Sequence, residues 1–209
     1  TRVEQDSRIA TIVLGEGEHV VEVFKGKYDG DSNCLEISSA VKIVGRPDVP
    51  KEKIVVVGGI KFEKGVQGKC HLQHLTVRRA NEYGVYGESS FTMEDVLVEQ
   101  CCYSGVCALG IGVVGRCTNV EVRQCGGSGV AAYYGASITL IGAKTTVHHN
   151  CTDGNNPTGI QNEYGLQLWG PVFNSSSSAT IQLVSPLTKE LVSIDNGGGG
   201  NWGTNYGGD

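Results

Sequence analysis

An all-β chain wound as a parallel β-solenoid is the fold the sequence predicts, and three observations predict it. First, one pattern is written four times between Leu75 and Gly154. Leu75-Thr-Val-Arg-Arg-Ala-Asn-Glu-Tyr-Gly84, Val96-Leu-Val-Glu-Gln-Cys-Cys-Tyr-Ser-Gly105, Val120-Glu-Val-Arg-Gln-Cys-Gly-Gly-Ser-Gly129 and Thr145-Thr-Val-His-His-Asn-Cys-Thr-Asp-Gly154 each place a glycine seven residues after a valine. Second, those valines, Val77, Val98, Val122 and Val147, are 21, 24 and 25 residues apart, a period at which repeats stack on one another rather than fold around one core. Third, each copy holds short alternating segments and turn residues with no helical period. One repeat is therefore one coil.

The elements follow in order. Residues 1–8, with Val3 among spaced charges, read as a short amphipathic cap over the open edge of the first coil. Ile9 to Leu14 is a strand, Gly15 and Gly17 turn it, and His19 to Phe24 is the next. Lys25 to Asn33 is a polar turn; its Asp29-Gly-Asp-Ser-Asn33 lacks the later glycine and closing glutamate of a calcium loop. Leu35 to Ser38 and Val41 to Val44 are strands, and Pro47 and Pro50 keep the next stretch out of a central strand. Ile54 to Val57 is continuously apolar, Ile60 to Phe62 alternates, and Gly65 to Gly68 lead into the repeats. Parallel strands joined this way wind right-handed, and the hexapeptide period of a left-handed solenoid is absent.

After Val147 the spacing breaks. Gly165 to Trp169 and Ile181 to Leu183 are expected as strands of the next coil, with Val192 as its reference valine and Gly199 seven residues on. The surplus projects as loops near 151–162 and 171–178, where binding residues tend to lie. Residues 9–196 thus form one domain of about seven coils, ~30 Å long. Residues 197–209 are a Gly-rich tail, either flexible or a loose cover on the last coil.

A net charge of −5 and a pI near 5.5 argue against a nucleic-acid partner. No apolar run approaches the ~20 residues of a transmembrane helix. Among the eight cysteines, Cys101 and Cys125 share one repeat position with Ala80 and Asn150, which predicts an inward stack of free thiols. Disulfides involving Cys34, Cys70, Cys102 or Cys151 are the other reading.

The pattern V-x-V-x-x-(C/N)-x-x-x-G-V, the opening Ala10-Thr-Ile-Val-Leu-Gly-Glu-Gly-Glu-His-Val-Val-Glu22 and the later Val41-Lys-Ile-Val-Gly45 resemble the right-handed parallel β-helix (pectin-lyase-like) superfamily. The resemblance spans roughly Ile9 to Gly199. It implies a single-stranded right-handed parallel β-helix, a scaffold shared by polysaccharide lyases, hydrolases, esterases, epimerases, viral spikes and non-catalytic modules. The calcium-binding aspartates and arginine motif of pectate lyases are missing, as is the Tyr-Gly-x-Asp-Pro-His signature of alginate epimerases.

If the reference valines point inward, residues at −3, −1 and +1 share the outer face. That face then shows His74, Thr76 and Arg78; Asp95, Leu97 and Glu99; Asn119, Glu121 and Arg123; Lys144, Thr146 and His148; and Lys189, Leu191 and Ser193. Asp95 and Glu121, like Glu99 and Glu121, are offset by one coil and two residues, a diagonal of ~8 Å. Inverting glycosidases separate their acid and base by about 6.5–9.5 Å. Asp95, Glu99, Glu121, Arg123 and His148 are therefore the candidate catalytic residues. The competing reading is an ion-pair ladder of Arg78, Glu99 and Arg123 across coils. Lyase or epimerase chemistry needs a base and a cation, which Arg78, Arg123, His74, His148 and Lys144 supply.

Adjacent His148 and His149 point to opposite faces of a strand, so they do not grip one metal unless His149, Cys151 and Asp153 converge at the turn; no metal or cofactor is expected. Tyr83, Tyr86, Tyr133, Tyr134, Tyr164 and Trp169 form either a stacking platform for sugar rings or corner packing. Two functions follow. The favoured one is a non-catalytic scaffold or binding module with a polysaccharide or protein partner, and the alternative is a polysaccharide-active enzyme on the charged face.

Overall fold

The computed structural model describes residues 10–25, 31–152, 163–170 and 178–205. The expected cap at 1–8 and nearly all of the loops near 151–162 and 171–178 lie outside the described residues. Within them the chain is all-β, with a four-residue helix at Lys189–Val192 and a 3-10 turn at Lys51–Lys53. The described strands form a twelve-stranded and a seven-stranded sheet, both parallel, plus one small antiparallel ladder between Phe24–Lys25 and Asp31–Ser32.

Both sheets are built by repetition, each strand pairing with its counterpart one pass of the chain earlier and one later. Ile43, Leu72, Met93, Cys117 and Leu140 align in one column. Val56, Val77, Val98, Val122 and Val147 align in a second. Ile60, Val85, Val106, Val130 and Leu166 make a third, in the smaller sheet. All belong to one core cluster, and full burial of each aliphatic side chain contributes about 1.5–3 kcal/mol. Mostly parallel strands in two sheets with this register are consistent with a β-helix-like fold.

The larger sheet is bent. Cys70–Arg78 pairs through His71–Gln73 with Val41–Gly45 and through Thr76–Arg78 with Ile54–Val57. The bend is a left-handed residue: His74, then Asp95 and Asn119 in the next passes, all with φ of 51–53°. Asp, Asn and His are the side chains that best tolerate this conformation apart from glycine. A second corner stacks Arg79, Gln100, Gln124, His149 and Asp195, with φ of 51–56°.

The valine-to-glycine rule has a steric cause. A Cβ on Gly84 would lie 2.5 Å from Val98 Cγ1 and 2.9 Å from Cys101 Sγ, and one on Gly105 would collide with Val122 Cγ1. Each glycine makes room for the valine and the thiol of the following pass. Cys101 and Cys125 are buried as expected, and all eight cysteines are free. From Asn150 onward the column changes chemistry. Asn150 Oδ1 accepts from Cys125 N (3.1 Å) while its Nδ2 donates to Val122 O and to Asn196 Oδ1 (both 3.0 Å). Asn196 Nδ2 donates to Val147 O in turn. Asn150 is fully buried, which leaves its Asn-Cys-Thr sequence no room for a glycan.

The last passes differ from expectation. Val147 aligns with Ser193, not Val192. The Lys189–Val192 helix takes Val192 into the core one residue early, and Ser193 Oγ donates to Asn201 O instead. Tyr164–Trp169 closes the same pass as Val147 by pairing with Val130–Tyr133, while Thr180–Leu183 opens the next. Gly165, not Gly154, is therefore the counterpart of Gly129. Within the Gly-rich tail, Gly200–Asn205 is a strand paired with Tyr164–Trp169.

Gly105→Ala is expected to cost about 1–3 kcal/mol through overpacking. Gly15→Ala, where the added Cβ meets open space, is expected to stay within about 0.5 kcal/mol of wild type. Urea unfolding midpoints compare the two.

Candidate functional site

The charged side of the larger sheet carries all five predicted residues, but in two separate networks. In register, Arg78, Glu99, Arg123 and His148 stand one above another. Arg78 Nε donates to Glu99 Oε1 at 2.6 Å, and Arg123 Nε donates to Glu99 Oε2 at 2.8 Å. Arg123 Nη1 also donates to Glu121 Oε1 at 2.8 Å, and His148 Nε2 lies 3.3 Å from the same oxygen. The expected ladder of Arg78, Glu99 and Arg123 is thus present. The Glu99 side chain is only 4% exposed, so it is an outward-pointing residue sealed by its neighbours. Burial works against the Arg123 cation, yet the hydrogen bond it donates to Glu99 and the two carboxylate charges hold its pKa above the ordinary value.

Asp95 does not sit on the flat strand where the alternation places it. It occupies the left-handed corner, 2.8 Å from Lys51 Nζ and 2.6 Å from His74 Nδ1. His74 Nε2 faces Val49 O at 2.8 Å. Both imidazole nitrogens therefore meet acceptors, which the doubly protonated cation alone satisfies. Burial pulls the His74 pKa down, but the bonds to Asp95 and Val49 outweigh it and raise it. For Asp95, burial pushes up and the bonds from Lys51 and His74 win, leaving it lowered. The 3-10 turn at Lys51–Lys53 also covers this side, where Thr76 Oγ1 donates to Lys51 O at 2.9 Å. That cover buries Thr76, and Leu97 is buried as well, so the −1 positions of these passes are not the open surface the alternation implies.

His148 and His149 touch through their Nδ1 atoms at 2.8 Å. Among the described residues no group of three His, Cys, Asp or Glu side chains converges as a metal site; Asp153 lies outside them. Burial pushes the thiols of Cys34, Cys117 and Cys151 up to about 12, so at neutral pH they are inert thiols rather than nucleophiles.

A second cluster lies on the outer side of the smaller sheet. The core takes Val130, Ala132 and Leu166, with Leu168 packed against it, so alternation sends Ala131, Tyr133, Gln167 and Trp169 outward. Tyr133 and Trp169 are register partners with ring centroids 5.9 Å apart at 80°. Tyr83 packs on Tyr86 at 4.8 Å and on Tyr103 at 5.5 Å. Gln167 is fully buried; its Oε1 accepts from Ser128 Oγ, while its Nε2 has no hydrogen-bond partner among the described residues. Buried Glu163 lies beside the same turns, its Oε2 3.0 Å from where a Cβ on Gly127 would sit. Burial first, with Glu163 among the charges that add to it, raises the hydroxyl pKa values of Tyr83 and Tyr133.

Tyr83, Tyr86, Tyr133 and Trp169 were legible as members of an aromatic group while Tyr103 was not, and the outward place of Gln167 follows from alternation in Gly165 to Trp169. Lys51 and Ser128 carried no signal, because their side chains reach their partners across a separation of 36–44 residues. Among the described residues no helix is long and apolar enough to cross a membrane. Comparison with protein-family models, curated proteins and solved structures finds no match.

The Asp95–His74 pair sets a pH dependence. The raised His74 contributes stability fully below its ordinary 6.5 and loses it as pH rises through the folded value. The lowered Asp95 contributes fully above its ordinary 3.8 and loses it as pH falls through the folded value. The pair is therefore worth most between pH 3.8 and 6.5. His74→Gln is expected to flatten the alkaline limb of a stability-versus-pH curve by up to about 1 kcal/mol, the partial exposure of both groups limiting the gain. Unfolding midpoints followed from that range upward through the alkaline limb measure it.

Proposed function

We propose that the chain is a right-handed parallel β-helix of about seven coils, of the pectin-lyase-like kind, that acts as a non-catalytic glycan-binding module. The in-register columns support the helix. The observation that carries the binding reading is the aromatic cluster on the outer side of the smaller sheet, where the Tyr133–Trp169 pair lies two residues along the strands from the unsatisfied Gln167 amide. Aromatic faces stack on sugar rings and a few placed polar groups fix orientation. The charged side fits a structural role better than a catalytic one. Asp95 is taken by Lys51 and His74, Glu99 by two arginines and Glu121 by Arg123 and His148, so these three carboxylates do not face one another as acid and base across a free gap.

NMR of the chain with a panel of neutral and uronate-rich polysaccharides tests this. Saturable shifts of the Trp169 indole without new sugar signals are expected. Trp169→Ala is expected to weaken binding about tenfold, equivalent to ~1.4 kcal/mol, while Asp95→Asn and Glu121→Gln leave it unchanged. New reducing-end, unsaturated or inverted-sugar signals that vanish in Glu121→Gln would replace the binding module with an enzyme working on the charged side.

A further inference from the structure

The charges around the aromatic cluster restrict which glycans it accepts. We propose that this side selects uncharged, hydroxyl-rich oligosaccharides and rejects polyuronates and sulfated chains; the proposal rests on the glycan-binding reading.

Recognition of a polyanionic sugar requires cations, above all arginine, whose fork matches carboxylate and sulfate oxygens. The smaller sheet offers almost none. Its seven described strands contain a single cationic residue, Lys61, and that residue is held by Glu36 at 3.3 Å and Glu88 at 3.8 Å. The described arginines, Arg46, Arg78, Arg79, Arg116 and Arg123, all lie on the larger sheet or at its corners. Negative charge gathers on the aromatic side instead. Glu82 stands in the turn beside Tyr83, and Glu163 is buried at the head of Tyr164–Trp169. A chain carrying one carboxylate per sugar meets repulsion here in a partly buried setting, where salt screens little.

The polar groups fit a hydroxyl. Gln167 Nε2 is a buried donor on the outer side of the sheet with its amide oxygen already bonded to Ser128. An unmade bond of this kind is unfavourable, and a sugar hydroxyl accepts while keeping its own proton for another partner. Tyr133 and Trp169 supply the apolar surface beside it.

Titration calorimetry of the full chain with neutral hexasaccharides of glucose, xylose and mannose, and with hexagalacturonate, at low and high salt, separates the outcomes. At least one neutral hexasaccharide is expected to bind with little salt dependence and to shift the Gln167 side-chain amide in NMR spectra. Hexagalacturonate is expected to bind at least tenfold more weakly, and Glu163→Gln, nearly isosteric, is expected to narrow that gap. Gln167→Leu is expected to weaken the neutral ligand about tenfold with its unfolding still cooperative; should it fail to fold, the Glu163→Gln comparison and the amide shift still decide. Hexagalacturonate binding as tightly as every neutral chain, with affinity falling as salt rises, would sink the charge selection and leave glycan binding standing. Silence from all four probes would remove both.

Discussion

In the two parallel sheets, the described strand positions have their counterparts as nearest neighbours, one pass away at the spacing of paired strands. That constraint, more than any single contact, organises the molecule. A side chain is acceptable if it packs against its own column, so residue types run in files: valine on valine, thiol on thiol, amide on amide. Gly84, Gly105 and Gly129 are part of the same logic, since the space each leaves is filled by the valine of the following pass. Buried polar groups obey it as well. Asn150 is tolerated at full burial because both ends of its amide meet partners in the adjacent passes.

The constraint also explains the charged side. Stacking brings like columns together, and a file of carboxylates would repel itself, so charges must alternate along the file. Arg78, Glu99 and Arg123 do so, and Glu121 is drawn in from the neighbouring file by Arg123. The result looks like a catalytic cluster when only its composition is read. Its geometry is that of a charge-balanced seam, with the most buried carboxylate between the two guanidiniums.

What was legible in the sequence is what repeats. The strands at Ala10–Leu14, Val41–Gly45 and Ile54–Val57, the valine columns and the buried thiols at Cys101 and Cys125 follow from apolar pattern and periodicity, whereas His19 to Phe24, expected as one strand, is split between Gly17–Val20 and Phe24–Lys25. Legibility fails where periodicity is interrupted. The helix at Lys189–Val192 moved the last file by one residue, which no spacing rule anticipates. The corners were misread for a related reason. Alternation treats His74 and Asp95 as outward strand positions, whereas they are single left-handed residues at which alternation stops. Lys51 was invisible because its role depends on a 3-10 turn folding over a strand that comes much later in the chain.

One more property follows from the file of small and amide side chains. Cys101 and Gly105 are four residues apart, as are Cys125 and Gly129, yet the equivalent pair Asn150 and Gly165 is separated by fifteen, and both members keep their places in the stack. Chain length at that junction is thus decoupled from the scaffold. The file therefore accommodates a longer connection in one pass while Asn150 and Gly165 still meet the strands of the preceding one.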